Sequence, residues 1–288
     1  MRLSQRAGVR GRLILPLLAA WLTGCSSGEK LVSVPLPPAP QRIICASPAV
    51  AEIVFVLGAG ERVVGVSEFT TWPPAAAAKL GIGGPLAPNR ERILALQPDL
   101  ILSQGKSEGL AALASQQHIA FMTLPLDSLA DLRAAITGFA TVLGAEAQGA
   151  ALLHDMESTF AACSRPDPVS VFVALGHVPG DLSGLMTTGP GTFLHEIVEL
   201  AGGRNIFADV SVLWPRVSHE ALIRRAPALL LDFQAAPLDT PRRQALTADW
   251  ERLGFRADQV RILEEDYLLR PGPRAAQAAT RIANAIQP

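Results

Sequence analysis

The chain contains few aromatic residues, few cysteines and no excess of charge of either sign. Of its 288 residues, 5% are aromatic, with a single tyrosine, and three are cysteines; 18% are charged and the formal net charge is −1. The missing basic excess excludes a strongly basic nucleic-acid binder, and the 49% hydrophobic content excludes a disordered polar chain. No run of 18 or more uncharged apolar residues occurs, which excludes a bundle of transmembrane helices. A globular chain of one large or two smaller domains remains.

The usual motifs of catalysis and metal binding are also missing. The glycines around Gly58 lack the third glycine of a dinucleotide fingerprint, and no phosphate loop is present. Residues 180–184 (GDLSG) miss the nucleophile elbow by one place. The cysteines have no zinc-type spacing, and the five histidines are scattered. We therefore expect neither an enzyme, nor a bare-metal receptor, nor a resident cofactor.

Residues 1–24 have the pattern of an export signal. Four arginines precede an apolar run of about ten residues, and this run is too short to span a bilayer. Residues 22–25 (LTGC) resemble a bacterial lipobox, so we expect a lipoprotein signal peptide and lipidation of Cys25, which would anchor the exported protein to a membrane. An ordinary secretory signal with an incidental cysteine is the alternative. Removing residues 1–24 takes away four arginines and no acids, so the formal charge falls from −1 to −5.

Residues 25–40 are rich in Ser, Pro and Gly, and are predicted to be a flexible leash. After them, short apolar strands alternate with helices, a pattern typical of α/β proteins with mostly parallel sheets covered on both faces. Strands are expected at 42–47, 63–67, 99–103, 120–124, 169–174, 228–233 and 260–263. Helices are expected at 49–57, 89–96, 128–164 with a break near Gly144, and 275–286.

The two halves of the chain resemble each other. Residues 52–67 (EIVFVLGAGERVVGVS) and 196–211 (EIVELAGGRNIFADVS) share their spacing without a gap. Later in each half, Glu91 and Glu220 each stand seven residues before a proline that leads into an apolar strand. Two matches in the same order indicate an internal duplication.

The duplication predicts two similar α/β lobes joined by one long helix. We expect the N-terminal lobe at 41–143, a rigid bridging helix at 144–165 and the C-terminal lobe at 166–288. Cys45 and Cys163 remain as possible disulfide partners in an exported protein, and the sequence leaves open whether they pair.

Several motifs in the same order resemble periplasmic binding proteins for cobalamin and ferric siderophores, most of all the cobalamin-binding type. These motifs are residues 42–67, 72–74, 88–102, 191–209, 214–218 (WPRVS) and 270–274 (RPGPR). The resemblance implies the helical-backbone (class III) fold, with the ligand in a cleft between the lobes. It also implies an exported monomer on the periplasmic or cell-surface side, which serves an ABC permease and its ATPase and binds no nucleic acid.

Glu91 and Glu220 match the positions at which the family carries one exposed glutamate on each lobe. There the two glutamates dock onto arginines of the permease, and two charges held far apart on a rigid body fix orientation as well as attraction. Helix-start chemistry is the alternative, since Asn89 and Ser218 are good N-caps and an acid two residues later suits the helix dipole. The recurrence of the pair in both halves favours docking.

Ligand contacts are expected from loops at the carboxyl ends of strands. The candidate residues on these loops are Phe69, Gln104, His177, Trp214, Asp266 and Tyr267. The resemblance matches Phe69, Trp214 and the Asp266-Tyr267 pair to a ring-lined cleft, although each ring has ordinary packing as its alternative. His177 would serve as an axial ligand to the metal of a bound chelate or as a simple hydrogen-bonding residue.

Two positions and one charge pattern bear on the identity of the ligand. Pro85 and Gln104 stand where the cobalamin-binding relatives carry tryptophan. The cleft loops offer Lys106, Arg270 and Tyr267 but no basic cluster of the kind that suits an anionic siderophore. We therefore expect a metal chelate of the cobalamin or corrinoid class. A ferric siderophore or haem is the alternative, and an enzyme on the same scaffold is a remote one.

Overall fold

The computed structural model describes residues 31–32 and 35–287. The predicted export signal (residues 1–24) and Cys25 lie outside the described residues. The first half of the chain builds one six-stranded sheet with the spatial order β1-β6-β5-β2-β3-β4. Its strands are β1 (Leu31–Val32), β2 (Ile43–Cys45), β3 (Val63–Val66), β4 (Leu80–Gly81), β5 (Leu100–Gln104) and β6 (Ala120–Leu124). All pairs are parallel except that of β1 with β6.

Five helices accompany this sheet, and local chemistry sets their ends. They are α1 (Pro48–Val56), α2 (Pro74–Ala77), α3 (Arg90–Ala95), α4 (Glu108–Gln116) and α5 (Leu129–Leu143). Ser47 caps α1 by accepting from the Val50 amide at 3.2 Å, with Pro48 at the first helical position. Ser128 and Asp131 form a capping box at the start of α5, which ends at Gly144 in the left-handed conformation (φ 65°).

The second half builds a second sheet of six strands. Its strands are β7 (Val169–Leu175), β8 (Leu185–Met186), β9 (Gly203–Asn205), β10 (Arg216–Val217), β11 (Leu229–Phe233) and β12 (Val260–Leu263). The spatial order is β10-β8-β7-β11-β12, with β9 also parallel to β7. Its helices are α7 (Phe193–Leu200), α8 (His219–Arg225), α9 (Thr240–Arg252) and α10 (Ala275–Ile286). Two mostly parallel sheets flanked by helices confirm the predicted α/β fold class.

Helix α6 (Glu146–Cys163) lies between the two sheets along the chain, inside the predicted bridging segment 144–165. Its 18 residues extend about 27 Å. It packs against α5 on one side and α10 on the other, and one apolar core runs through all these helices. Ile53, Phe139, Phe160, Ile197 and Ile282 belong to this core and are at most 2% exposed. The lobe boundaries themselves stay predictions.

Two residues of the predicted leash pair with the first sheet. Leu31–Val32 forms the edge strand β1, whose backbone pairs with Thr123 and Met122 of β6. A two-residue strand that is held by backbone pairing leaves no apolar run in the sequence, so composition alone pointed to an extended linker. Among the described residues, no helix is both long enough and apolar enough to cross a membrane.

Candidate functional site

The loops at the carboxyl edges of the two sheets meet. Thr71, in the loop after β3, donates from its hydroxyl to Asp266 Oδ2 at 3.0 Å, in the segment after β12. Arg270 Nη1 donates to Thr71 Oγ1, also at 3.0 Å. In open α/β sheets, ligands bind beyond the carboxyl ends of the strands. The expected ligand-binding loops of the two halves therefore come together at this edge.

A cavity of about 330 Å³ opens beyond the ends of β2, β3 and β5. Residues that line it include Ser47, Phe69, Pro85, Ser103, Gln104 and Lys106. Two predicted ligand residues, Phe69 and Gln104, are therefore brought together. Phe69 is 56% exposed, so its ring is accessible from the solvent.

A second cavity of about 210 Å³ opens beyond the end of β7. Gly176, His177, Ser183, Met186 and Arg216 are among its lining residues. Arg216 is exposed and forms no ion pair with a described residue. Each half of the molecule thus contributes its own concave, partly polar surface at the carboxyl edge of its sheet.

Trp214 stands on the loop between α7 and α8, two residues before Arg216. Its side chain is 37% exposed, and its ring centroid lies 6.4 Å from that of Phe193. The neighbouring Val212 and Leu213 are exposed as well, as is Leu86 beside the first cavity. Contiguous exposed apolar side chains, such as those of residues 212–214, are a common feature of binding surfaces.

His177 lies inside the second lobe, between two buried aspartates. Its Nδ1 is 2.8 Å from Asp232 Oδ2 and its Nε2 is 3.3 Å from Asp249 Oδ2, and all three side chains are fully buried. Trp250 Nε1 donates to the same Asp232 oxygen at 2.7 Å. The Gly180 amide donates to Asp249 Oδ2 at 2.6 Å, which ties down the loop that follows His177. The structure therefore turns the imidazole towards carboxylates in the interior.

Asp266 and Tyr267 open a short 3₁₀ turn (Asp266–Leu269) and belong to an ionic cluster. Asp266 contacts Arg270 at 3.1 Å and accepts from Arg274 Nη1 at 3.2 Å. The Tyr267 ring centroid is 5.2 Å from the Arg274 guanidinium. Burial, and secondarily the charge of Glu265, raises the pKa of the Tyr267 phenol above its ordinary value. The two predicted ligand residues are adjacent but already partnered.

Glu52 of α1 lies at the centre of this cluster, although it is not among the predicted site residues. Its fully buried carboxylate accepts from Arg274 Nη2 at 2.5 Å and from Arg274 Nε at 3.0 Å. Trp72 covers the same guanidinium, with its ring centroid 4.6 Å away. Burial by itself lowers the pKa of Arg274, but the hydrogen bond and charge of Glu52 outweigh it and raise the pKa above the ordinary value.

A second glutamate, Glu196, also links the two halves. Glu196 of α7 accepts from the Leu129 amide at 2.7 Å, at the first turn of α5. The Phe193 amide donates to the Asp127 carbonyl beside it, at 2.5 Å. Glu52 and Glu196 are the first residues of the two repeated segments, so the duplicated position serves cross-lobe contact in both copies. The duplication was a signal that could have singled out these two glutamates.

Glu91 and Glu220 occupy equivalent places on short helices. Each is exposed and lies two residues after an N-cap: Asn89 accepts from the Arg92 amide at 3.0 Å, and Ser218 from the Ala221 amide at 3.3 Å. Hydrogen bonding from Ser218 holds the pKa of Glu220 below its ordinary value. Both carboxylates are thus free to meet a partner while they also suit the helix start.

The two cysteines of the described chain, Cys45 and Cys163, are buried and free. Burial raises the pKa of the Cys45 thiol, so it behaves as an inert apolar side chain. Within residues 31–32 and 35–287, no group of three or more His, Cys, Asp or Glu side chains is arranged to hold a metal ion.

Comparison with known proteins identifies the family. A family model described as "Periplasmic binding protein" matches residues 43–232, which is more than half of the chain. The chain belongs to the periplasmic binding protein family. The vitamin B12-binding protein of Pectobacterium carotovorum subsp. carotovorum (strain PC1) is 30% identical over 282 residues, covering 92% of this chain and 94% of that protein.

Two solved structures of binding proteins share the fold. The periplasmic vitamin B12-binding protein of Vibrio cholerae has a TM-score of 0.67 at 25% identity, covering 87% of this chain and 98% of that one. The periplasmic haem-binding protein of Roseiflexus sp. RS-1, in apo form, has a TM-score of 0.70 at 25% identity, covering 85% and 97%. Similarity at this level extends to proteins with different named ligands.

Family membership confirms four of the predictions in their general form. The chain is a substrate-binding protein of an ABC importer, and it is a binding protein rather than an enzyme. It works outside the cytoplasm, with a small ligand and a membrane permease as its partners. The roles of the individual candidate residues, the ligand and the lipid anchor stay predictions.

Proposed function

We propose that this binding protein captures cobalamin or a related corrinoid and delivers it to its permease. The observation that carries the proposal is the presence of one exposed ring on a loop of each half, Phe69 in the first and Trp214 in the second. A bulky macrocycle that buries two apolar faces is matched by rings on opposite sides, with a few polar groups to fix its orientation. The vitamin B12-binding names of the curated relatives support the same choice.

The chemistry of the cleft side chains favours a corrinoid over haem. Proteins hold haem iron through a side chain such as His, Tyr, Cys or Met. Here the His177 ring lies between two buried aspartates, and the only tyrosine, Tyr267, stacks on Arg274. A corrinoid whose cobalt carries its own axial ligands needs no such residue.

Haem or a ferric siderophore is the second candidate. The likeness to a haem-binding protein structure supports it, as does the presence of Met186 beside the second cavity. Lys106 and Arg216 would then meet the carboxylates of the ligand.

Glu91 and Glu220 are proposed to dock the loaded protein onto arginines of the permease. Their exposure and their equivalent places on α3 and α8 support this role. The double variant Glu91→Arg/Glu220→Arg should abolish transport but leave ligand affinity unchanged. The matched control is Glu61→Arg/Glu251→Arg, which reverses one exposed glutamate in each half. An equal loss of ligand binding in the docking variant would contradict the assignment.

Cys25 is proposed to carry the lipid that holds the protein at a membrane. The lipobox-like residues 22–25 support this proposal. The Cys25→Ser variant should be released into the soluble periplasmic or culture fraction, whereas the unchanged protein should remain with membranes. Retention of the variant on membranes would argue against lipidation at this residue.

Ligand identity is tested by titrating the purified protein with cyanocobalamin, cobinamide, haem and a ferric hydroxamate. Tryptophan fluorescence and the visible spectrum of each ligand report binding. We expect saturable quenching by the corrinoids at one ligand per protein. Tight binding of the hydroxamate or haem with no response to either corrinoid would overturn the corrinoid assignment and favour the second candidate.

A further inference from the structure

Lys106 is the one charged side chain among the residues that line the cavity beyond β2, β3 and β5, and it forms no ion pair with a described residue. Among the described residues, no carboxylate lines the cavity; Glu68 lies beside Gly84, and Glu108 stands in the first turn of α4. An unpaired ammonium group over a cavity that lacks acids attracts anions.

Two helices begin at the wall of this cavity. Helix α1 starts after Ser47 and helix α4 starts after Ser107, and both serines line the cavity. Each helix has nine residues, so each presents the positive end of a full helix dipole. The Ser107 side chain makes no capping hydrogen bond, which leaves the first amides of α4 available to a ligand.

A largely buried serine also lines the cavity. Ser103, at the end of β5, is only 4% exposed, lines the cavity and donates no side-chain hydrogen bond to a described residue. The adjoining Gly105 is fixed by its amide, which donates to the Leu124 carbonyl at 2.9 Å, and by its carbonyl, which accepts from Thr123 Oγ1 at 2.6 Å. Lys106 therefore extends from an anchored loop.

Side chains smaller than tryptophan line this cavity at two positions. Pro85 and Gln104 line it at the positions where the resemblance expects tryptophans. Rings there would fill the cavity, whereas the present residues leave about 330 Å³ beside the exposed Phe69. A flat macrocycle resting on Phe69 would have room to place a polar arm in the cavity.

We propose that this cavity binds an oxyanion carried by the ligand, a phosphodiester or a carboxylate, through Lys106, Ser103 and the amides that begin α4. This inference deepens the proposed function: in the corrinoid case the oxyanion is the nucleotide-loop phosphodiester of cobalamin, which cobinamide lacks. In the case of haem it is a propionate. The cavity would thus discriminate between complete cobalamin and its truncated precursor.

The first test compares Lys106→Gln with Lys79→Gln, a control lysine outside the cavity, by calorimetric titration. Lys106→Gln should weaken cyanocobalamin binding by about tenfold or more, because a charge-assisted hydrogen bond is lost, and leave cobinamide binding unchanged. Lys106→Arg should restore the affinity for cyanocobalamin. Equal effects on both corrinoids, or no effect on either, would overturn the proposal.

The second test does not depend on the corrinoid assignment. Inorganic phosphate is titrated into the isotope-labelled protein while amide chemical shifts are followed. Shifts at Ser107, Glu108 and Gly109 that Lys106→Gln abolishes support the oxyanion site, and their absence in the unchanged protein overturns it. If the unchanged protein binds no corrinoid, the proposed function fails. The oxyanion site is then judged by this phosphate titration and by whether Lys106→Gln weakens the binding of haem.

Discussion

Glu52 and Arg274 form a buried, two-point ion pair between residues 222 positions apart in the chain. The Glu52 carboxylate comes from the first helix, and the Arg274 guanidinium from the segment just before the last. Trp72 and Tyr267 both cover that guanidinium, and Asp266 accepts a further hydrogen bond from its Nη1. The pair therefore links the two halves directly behind the loops that are expected to hold the ligand.

Loss of Arg274 should destabilise the protein strongly. Arg274→Met keeps an apolar stem between the two rings but removes both close contacts of the buried Glu52 carboxylate, which keeps only the longer contact with Arg270 Nη1 at 3.4 Å. We expect the free energy of unfolding to fall by about 3–5 kcal/mol in urea titrations. The double variant Glu52→Leu/Arg274→Met should recover much of that loss, because it leaves no unpaired charge.

The matched control for this prediction is Arg256→Met, which breaks the exposed pair with Asp258. Its urea midpoint should hardly change, because exposed ion pairs contribute little. If Arg274→Met were as stable as this control, the link between the two halves would not depend on the pair.

His177 should contribute to the stability of the fold rather than to ligand binding. His177→Phe removes the buried hydrogen bond between the imidazole and Asp232, so we expect a loss of about 1–3 kcal/mol in the free energy of unfolding. His154→Phe, at an exposed position on α6, is the control. Ligand affinity of the folded variant should stay within about threefold of the unchanged protein. A variant that is stable but has lost its ligand would mean instead that the imidazole contacts the ligand.

The exposed rings should contribute most of the apolar contact with the ligand. Phe69→Ala and Trp214→Ala should each weaken corrinoid binding by about tenfold or more, because buried aromatic anchors dominate such sites. Trp214→Ala should also remove most of the ligand-induced quenching of tryptophan fluorescence. Val56→Ala, an exposed apolar position at the end of α1, serves as the control. Unchanged affinity in both ring variants would place the ligand elsewhere.

The acidity of Glu220 should depend on Ser218. Hydrogen bonding from Ser218 lowers the pKa of Glu220, so this docking candidate keeps its negative charge to lower pH than an ordinary glutamate does. In Ser218→Ala the pKa should rise towards the ordinary value, as followed by carboxyl carbon chemical shifts during a pH titration. Helix α8 should also lose about 1 kcal/mol of capping stabilisation. An unmoved pKa would mean that Ser218 does not hold this carboxylate.

Regular structure was largely predictable because its signals are local. The apolar runs at 120–124 and 260–263 match β6 and β12 to the residue, and α10 has the predicted bounds. The other elements that were predicted differ by one or two residues at their ends, where caps and turns decide, whereas α4, α7, α8 and α9 were not predicted. Strand β1 was missed because backbone pairing with β6, rather than its own sequence, defines it.

The site was predictable only in part, because its decisive contacts are tertiary. Loop position was enough to find Phe69 and Trp214 as exposed rings. It gave no indication that His177 would be enclosed by Asp232 from β11 and Asp249 from α9. Glu52 looked like an ordinary helical residue, since its partner Arg274 is brought to it only by the packing of α10 against α6 and α7.

An equilibrium competition experiment tests most directly whether the protein binds a corrinoid through Phe69 and Trp214, as proposed. The purified protein is dialysed against an equimolar mixture of cyanocobalamin, haem and a ferric hydroxamate, and the retained ligand is identified by its visible spectrum. We predict that cyanocobalamin is retained at one molecule per protein and that Phe69→Ala/Trp214→Ala loses it. Retention of haem or the hydroxamate in its place would contradict the corrinoid assignment.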